Sequence, residues 1–221
     1  MNTYSLTLSG VKLEAMKSGA LYWPDQRLLC VSDLHLGKSE RITRLGGAML
    51  RPYDTRETLA QLERDLLATA ANSVICIGAS FDDSASSRGI SESDVMWITR
   101  MQAGRRWVWL QGNHDPGPLA IGGTHMAELP LPPLSFRHLA RIGASGEISG
   151  HYHPKARAMA QDQSVNRPSF LIDSDRIIMP AYGAFSGGLQ SSHEVLTGLM
   201  RPEAMAILTG PTLLPIPMPR D

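Results

Sequence analysis

A chain of 221 residues, 43% of them hydrophobic, is long enough to bury a sizeable core, and we expect one domain over residues 1–221. Lysine plus arginine and aspartate plus glutamate balance at 21 each, which excludes a protein that holds nucleic acid by overall charge, so any such contact must be local. No apolar run approaches the roughly 18 residues of a membrane span, and the N-terminus has no secretory pattern, so we expect a cytoplasmic protein.

The first half of the chain alternates apolar strand-like runs with helix-patterned segments. Residues 27–32 (RLLCVS), 73–78 (SVICIG) and 106–111 (RWVWLQ) are predicted strands. Between the first two, Asp54 and Glu57 form a capping-box-like helix start. The predicted apolar stripe of this helix comprises Leu59, Leu62, Leu66 and Leu67. This strand, helix, strand order predicts parallel pairing and an α/β fold.

A second helix is predicted to begin at Ser91 and Asp94 and to continue through three apolar positions, namely Val95, Ile98 and Met101. After Gly112, short strand candidates at residues 134–138, 169–172 and 176–179 are spaced by turns, which favours antiparallel pairing. The proline-rich tail, residues 211–219, is typical of an edge strand or coil.

The two cysteines, Cys30 and Cys76, both lie in apolar strand-like runs. Buried free thiols are expected there more than a disulfide or a pair of metal ligands.

Polar residues that can ligate metals follow three strand candidates. The segments are Ser32-Asp33-Leu34-His35, Gly112-Asn113-His114-Asp115 and Gly150-His151-Tyr152-His153. Alternate residues of an extended segment point the same way, so each Asp-x-His or His-x-His pair can chelate from one edge. Gly-Asn-His-Asp alone also suits an ordinary turn. Because the carboxyl ends of strands in α/β sheets line one crevice, the three segments together predict a metal site.

These motifs resemble those of the calcineurin-like metallophosphoesterases, in which Asp-x-His, Gly-Asp, Gly-Asn-His-Asp or Glu, a lone His and Gly-His-x-His follow one another. The resemblance covers residues 33–154. Further segments resemble the DNA-ligase-associated metallophosphoesterases, and they are LYWP (21–24), DLHLGK (33–38), RH (137–138), PAYG (180–183) and GGL (187–189). The resemblance implies a layered β-sandwich flanked by helices, with a metal site at the carboxyl ends of strands.

The resemblance also implies roles for individual residues. One metal ion would be held by Asp33, His35 and His153, and a second by Asn113, His138 and His151. Such mixed donors suit Mn²⁺, Fe or Zn²⁺. Two ions would generate a metal-activated hydroxide. His114 would protonate the leaving group or stabilise phosphoryl charge, with Asp115 fixing its tautomer.

The segment CIGASFDD, residues 76–83, departs from the family pattern at its centre. Where the family has an aspartate that bridges both metals, this chain has Ala79. Two dications at about 3.5 Å repel by on the order of 20 kcal/mol at an effective dielectric of about 20, and a bridging carboxylate offsets much of this. We therefore expect weak binding of a second ion and reduced hydrolysis. Asp82 or Asp83 could substitute only through a tight turn.

Three functions are compatible with these motifs. The leading hypothesis is a phosphodiesterase that acts on nucleic acid or a nucleotide-like diester, and the resemblance implies a setting in DNA repair with a ligase or helicase partner. The alternatives are a hydrolase of small nucleotides or phosphomonoesters, and a non-catalytic module that binds phosphate or a repair partner. Nearby cations, Lys38, Arg41 and Arg44, could contact phosphates or lie on a solvated helix face. Tyr182 and Phe185 could stack on a base or pack in the core.

Overall fold

The computed structural model describes residues 2–37, 54–81, 90–112, 121–160, 163–184 and 187–220. The strands of the first sheet are β1 (Thr3–Leu8), β2 (Val11–Met16), β3 (Leu21–Trp23), β4 (Leu28–Ser32), β5 (Ser73–Ile77), β6 (Arg106–Leu110) and β7 (Thr124–Met126). The strands of the second are β8 (Glu128–Leu131), β9 (Leu134–Arg137), β10 (Glu147–Ser149), β11 (Lys155–Ala160), β12 (Gln163–Ile172), β13 (Arg176–Ile178), β14 (Met205–Leu208) and β15 (Leu214–Pro217). The helices are α1 (Asp54–Thr69), α2 (Glu92–Gln102) and α3 (Glu194–Leu199), and Pro24–Gln26 forms a 3₁₀ turn.

The first sheet runs in strand order β1-β2-β3-β4-β5-β6-β7. Its pairings are antiparallel from β1 to β4 and parallel from β4 to β7. The predicted parallel pairing is therefore confirmed, and the crossover through α1 provides the return path that parallel strands require. The antiparallel strands β1 and β2 were not predicted.

The second sheet runs in the order β15-β14-β12-β13-β10-β9-β8, with β11 paired to β12. Strand β10 is parallel to both of its neighbours, β9 and β13, whereas the other pairs are antiparallel. The expectation of antiparallel pairing is confirmed for the predicted strands β9, which pairs with β8, and β12 and β13, which pair with each other. It does not hold for β10, whose pairs with β9 and β13 are parallel because the connecting segments carry the chain back along the sheet. The carboxyl ends of β9, β10 and β13 consequently lie side by side.

Side chains of the central strands alternate between two cores. In β4, Leu28 and Cys30 face the space between the sheets, whereas Leu29 and Val31 face helices α1 and α2. Because both faces of β4 are covered, its sequence is a continuous apolar run and not an alternating one. A third cluster packs α3 against the outer face of the second sheet. The result is a helix, sheet, sheet, helix sandwich of α/β type, as expected.

The two longer helices begin where they were predicted to begin, and one residue of the predicted apolar stripe is wrong. Ser91 caps α2 by accepting a hydrogen bond from the backbone N–H of Asp94 at 3.2 Å. In α1 the buried leucines are Leu59, Leu62 and Leu66. The assignment of Leu67 to the stripe is wrong, because the side chain is 73% exposed. Successive helical residues are rotated by about 100°, so Leu67 leaves the face that Leu66 occupies.

Both cysteines are buried and neither forms a disulfide, as predicted, and burial raises the pKa of the Cys30 thiol well above its usual value. The tail ends in β15, which is an edge strand of the described sheet, and it carries Pro215 and Pro217 where none of the described strands requires their missing N–H groups. Across the described ranges, no helix is long and apolar enough to cross a membrane.

Candidate metal centre

The carboxyl ends of β4 and β10, which belong to different sheets, meet at one edge of the sandwich. Asp33 and His35 follow β4, and His151 and His153 follow β10. The backbone N–H of His151 donates a hydrogen bond to Asp33 Oδ2 at 2.9 Å. This bond joins the two strand ends directly.

Asp33, His35 and His153 form a group that could hold a metal ion, because one ligand atom from each lies within 4.8 Å of the others. The Nε2 atoms of His35 and His153 are 3.3 Å apart. Asp33 Oδ1 lies 3.4 Å from His153 Nε2. A carboxylate with two imidazoles is a donor set that Mn²⁺, Fe and Zn²⁺ all accept.

A second pair of imidazoles adjoins this group. His138 follows β9, and its Nε2 lies 3.1 Å from Nδ1 of His151. The other ring nitrogen of His138, Nδ1, lies 3.8 Å from Asp33 Oδ1. The structure therefore brings together five of the eight residues that the sequence motifs point to.

Two buried polar atoms of this site have no hydrogen-bond partner among the described residues, and a bound cation would provide one for the carboxylate. Asp33 is 1% exposed, and its Oδ2 accepts hydrogen bonds from Ser32 Oγ at 2.5 Å and from the backbone of His151. Among the described residues, Asp33 Oδ1 and His138 Nδ1 are buried without a hydrogen-bond partner. A buried carboxylate oxygen without a partner costs several kcal/mol or more, about what a bound cation would relieve. One Asp33 oxygen is thus fixed by the protein and the other is left for a ligand.

The backbone around the site adopts left-handed φ angles that side chains rarely tolerate. The values are 52° at Asp33, 48° at His35, 32° at Ala79, 70° at His151 and 46° at His153. Such strain costs of order 1–2 kcal/mol per residue and persists where the surroundings enforce it, commonly at functional sites. The expectation that these pairs chelate from extended strands is wrong. The donors converge because tight turns after the strands redirect them.

Two glycines, Gly78 and Gly150, lie so close to the proposed ligands and to Ser32 that a side chain at either position would overlap them. A Cβ atom at Gly78 would lie 1.8 Å from His138 Nδ1, and one at Gly150 would lie 1.8 Å from Ser32 Oγ and 2.6 Å from Asp33 Oδ2. Any larger residue would displace a proposed ligand or its hydrogen-bond partner.

The pKa values of Asp33 and His138 are shifted in the direction that favours metal binding. Burial raises the pKa of Asp33, but the adjacent His153, then His138 and Ser32, outweigh it and bring the pKa to about 2. Burial, with smaller contributions from the neighbouring imidazoles, lowers the pKa of His138 to about 4, although Asp33 opposes this. At neutral pH the carboxylate is ionised and the His138 imidazole is neutral, and metals require these forms.

Ala79 lies in the turn after β5, against the proposed ligands. Its carbonyl oxygen accepts a hydrogen bond from the backbone N–H of His35 at 2.9 Å. A Cβ atom at Gly112 would lie 2.2 Å from the backbone nitrogen of Ala79, so the ends of β5 and β6 are in close contact there. The buried side chain at this position is a methyl group, which offers no donor atom.

Several sequence predictions fall outside the described residues. They concern Asn113, His114 and Asp115, the cations Lys38, Arg41 and Arg44, the carboxylates Asp82 and Asp83, and Phe185. Tyr182 is described and is buried, and its hydroxyl donates a hydrogen bond to Asp65 at 2.8 Å. The core alternative is therefore confirmed for Tyr182, and its proposed stacking on a base is wrong.

Sequence reasoning missed two features of the site. Ser32 orients Asp33, and its sequence signal is a polar residue at the end of an otherwise apolar run, LLCVS. A cavity of about 270 Å³ beside His153 is lined in part by Lys155 and Asn166. No motif marks these two residues, because they meet only through the pairing of β11 with β12.

Neither the models of known protein families nor the curated protein sequences include a match to this chain. Among solved structures, the chain is similar to the crystal structure of Pseudomonas putida nuclease MPE, with a TM-score of 0.74 and 23% sequence identity. The similarity covers 97% of this chain and 100% of the other. The chain therefore shares the fold of that nuclease.

Proposed function

We propose that this chain is a metal-dependent phosphodiesterase of the calcineurin-like type, formed by a single domain over residues 1–221. The observation that carries the proposal is the convergence of Asp33, His35 and His153, with Asp33 Oδ1 buried and lacking a hydrogen-bond partner among the described residues. His138 and His151 extend the donor set.

In this proposal the ligand residues take two sets of roles. Asp33, His35 and His153 hold one ion, and His138, His151 and Asn113 hold a second. When bound there, Mn²⁺, Fe or Zn²⁺ would supply Lewis-acid activation of the phosphoryl group and of a water molecule. His114 donates a proton to the departing oxygen, and Asp115 orients its ring. Ser32 is a positioning residue that keeps the Asp33 carboxylate in place.

The proposed substrate is a phosphodiester in nucleic acid, and the proposed setting is cytoplasmic DNA repair with a ligase or helicase partner. Support comes from the resemblance of the motifs and from a fold shared over nearly the whole chain with a nuclease. The balanced net charge means that local groups, and not the overall field, must hold the strand. DNA endonuclease activity is the most specific form of this proposal.

Ala79 is proposed to weaken the second ion and hydrolysis. The position is in contact with His35 through the backbone, so a carboxylate there would lie near the proposed ligands. With a methyl group instead, the repulsion between two ions lacks the anion that would offset it. One retained ion is expected to support slow hydrolysis.

The proposal is tested by replacing one ligand and one unrelated histidine. His153→Ala removes a donor, whereas His193→Asn removes an exposed imidazole and leaves a good cap on α3, where His193 Nδ1 accepts from the N–H of Val195. We expect Mn²⁺ affinity and Mn²⁺-dependent cleavage of bis-p-nitrophenyl phosphate and single-stranded DNA to fall at least about tenfold in the first variant only. Equal behaviour of the two variants would refute the assignment.

A non-catalytic phosphate-binding or partner-binding module is the second candidate, and Ala79 is the observation that favours it. Such a module would bind Mn²⁺ without turnover of any diester, even after Ala79→Asp. A hydrolase of small phosphomonoesters is distinguished from a phosphodiesterase by comparing the rates of cleavage of p-nitrophenyl phosphate and bis-p-nitrophenyl phosphate. A monoesterase would cleave the first faster. A phosphodiesterase favours the diester.

A further inference from the structure

The strands β11 and β12 form a hairpin that begins next to the proposed metal centre. The pairing is antiparallel and runs from Lys155 opposite Pro168 to Ala160 opposite Gln163. Lys155 follows His153 by two residues and lies at the base of the hairpin. The ribbon therefore leads away from the site.

One face of this hairpin is committed to the core. Ala156, Ala158 and Val165 pack against the apolar cluster beneath α3. Since side chains alternate along a strand, the intervening residues point to the opposite face. The hairpin is thus amphipathic, with a fixed inner face and a free outer face.

The outer face carries cations and neutral polar groups. Its residues on β11 are Lys155, Arg157 and Met159, and those opposite them on β12 are Pro168, Asn166 and Ser164. Arg157 is exposed, and the apolar Met159 is 68% exposed. Within the described parts of the two strands there is no acidic residue, and no ion pair there involves Lys155 or Arg157.

The outer face is continuous with the proposed metal centre. Lys155, Asn166 and Pro168 line the cavity of about 270 Å³ that His153 also lines. Arg157 pairs with Asn166 and stands one step further along the same face. A chain that passes through the cavity would therefore meet Lys155 first and Arg157 next.

We propose that the outer face of the β11–β12 hairpin binds a single-stranded nucleic acid on one side of the phosphodiester to be cleaved. Lys155 and Arg157 contact phosphates, Asn166 donates a hydrogen bond, and Met159 provides an apolar surface for an unstacked base. A single strand fits because its bases are free to reach Met159. This inference rests on the proposed function, and it adds where the strand lies and which residues hold it.

The test measures binding without turnover. A fluorescein-labelled thymidine oligonucleotide is titrated with the chain in EDTA at several salt concentrations, and anisotropy gives Kd. The variant is Lys155→Ala/Arg157→Ala. The matched control is Lys12→Ala/Arg106→Ala, which also removes two exposed cations, from β2 and from the amino end of β6. Circular dichroism establishes that each variant is folded.

We expect the hairpin variant to bind about tenfold more weakly at low salt. The magnitude of the negative slope of log K against log salt should fall by about 1.4, since each phosphate contact on a single strand contributes about 0.7. The control should match the unaltered chain. The inference is overturned if the two variants behave alike, or if the unaltered chain does not bind the oligonucleotide. Failure of the proposed function appears separately, as a lack of Mn²⁺-dependent hydrolysis of bis-p-nitrophenyl phosphate by the unaltered chain.

Discussion

The backbone N–H of His35 donates a hydrogen bond to the carbonyl oxygen of Ala79 at 2.9 Å. The turn after β5 is therefore fixed against a proposed metal ligand that follows β4. Ala79 also holds a φ of 32°, which alanine adopts rarely and which aspartate and asparagine tolerate better. Both the location and the backbone of this position suit a residue other than alanine.

Ala79→Asp is expected to increase metal stoichiometry and activity. The added carboxylate would offset repulsion between two ions, so we expect a second Mn²⁺ to bind and diester hydrolysis to rise at least about tenfold, or about 1.4 kcal/mol of barrier. Calorimetric Mn²⁺ titration and bis-p-nitrophenyl phosphate assays measure these effects. Ala79→Asn is the control, because it has the same shape and backbone tolerance without the charge. If the asparagine variant gains as much, charge is not the cause.

Gly150→Ala is expected to damage the site more than the fold. The new Cβ would lie 1.8 Å from Ser32 Oγ and 2.6 Å from Asp33 Oδ2, so the carboxylate must move. We expect Mn²⁺ affinity to fall by about 10- to 100-fold, as when other groups that orient ligands are lost. Gly198→Ala, in α3 with open space around it, should leave the affinity unchanged. Unchanged Mn²⁺ affinity in Gly150→Ala would contradict the assigned role of Asp33.

The stability of the metal-free protein should depend on His138 in mild acid. The folded pKa of His138 is about 4 and the ordinary value is 6.5, so between these values the unfolded chain binds more protons. Stability contributed by the neutral ring is therefore present above about pH 6.5 and is lost as pH falls towards 4, up to about 3 kcal/mol. Urea unfolding in EDTA at several pH values measures this slope. In His138→Gln the slope over this window should become smaller, and an unchanged slope would show that His138 is not the group responsible.

Glu147 is expected to stabilise the fold beneath the histidines. Its fully buried Oε2 accepts hydrogen bonds from Arg137 Nη1 at 3.1 Å and from the backbone of Arg141 at 2.9 Å, and Arg176 Nη1 lies 3.3 Å from Oε1. Glu147→Gln would remove the anion beside the buried Arg176 and would leave Arg137 with Glu128 as its acidic partner among the described residues, 3.5 Å from its Nη2. The change should cost about 3 kcal/mol.

The comparison for that prediction is Glu63→Gln, which breaks an exposed pair with Arg100 at 2.9 Å. Surface pairs contribute less than about 1 kcal/mol. Chemical denaturation of both variants measures the difference. Equal losses would show that the Glu147 network does not stabilise the protein beyond an ordinary surface pair.

Much of the central sheet could be predicted from the sequence. β4, β5 and β6 match the apolar runs to within one residue, because both faces of these strands are buried and a glycine or polar residue ends each run. The strands β1 and β2 were missed. Their side chains alternate, in part, between buried and exposed positions, and such a two-residue period is a sequence signal for a strand.

The sequence predicted that Asp33 and the four described histidines of the motifs would lie close together, and it did not predict their geometry. His151 and His153 are marked because two histidines at alternate positions have few structural uses, and Asp33 and His35 are marked because their Asp-x-His closes another strand in the same series of motifs. These side chains are directed by left-handed φ angles after the strands, and Asp33 is held by a hydrogen bond from the backbone of His151, which follows a strand of the other sheet. Residue identity along one strand does not specify those contacts.

The most direct test of the proposed metal centre is an anomalous difference map from crystals grown with Mn²⁺. We expect a peak about 2.0–2.3 Å from Asp33 Oδ1 and from one ring nitrogen each of His35 and His153. In the Ala79→Asp variant a second peak should appear about 3.5–4 Å away, beside His138 and His151. A map without a peak at Asp33, from crystals that bind Mn²⁺ elsewhere or not at all, would contradict the proposed metal centre.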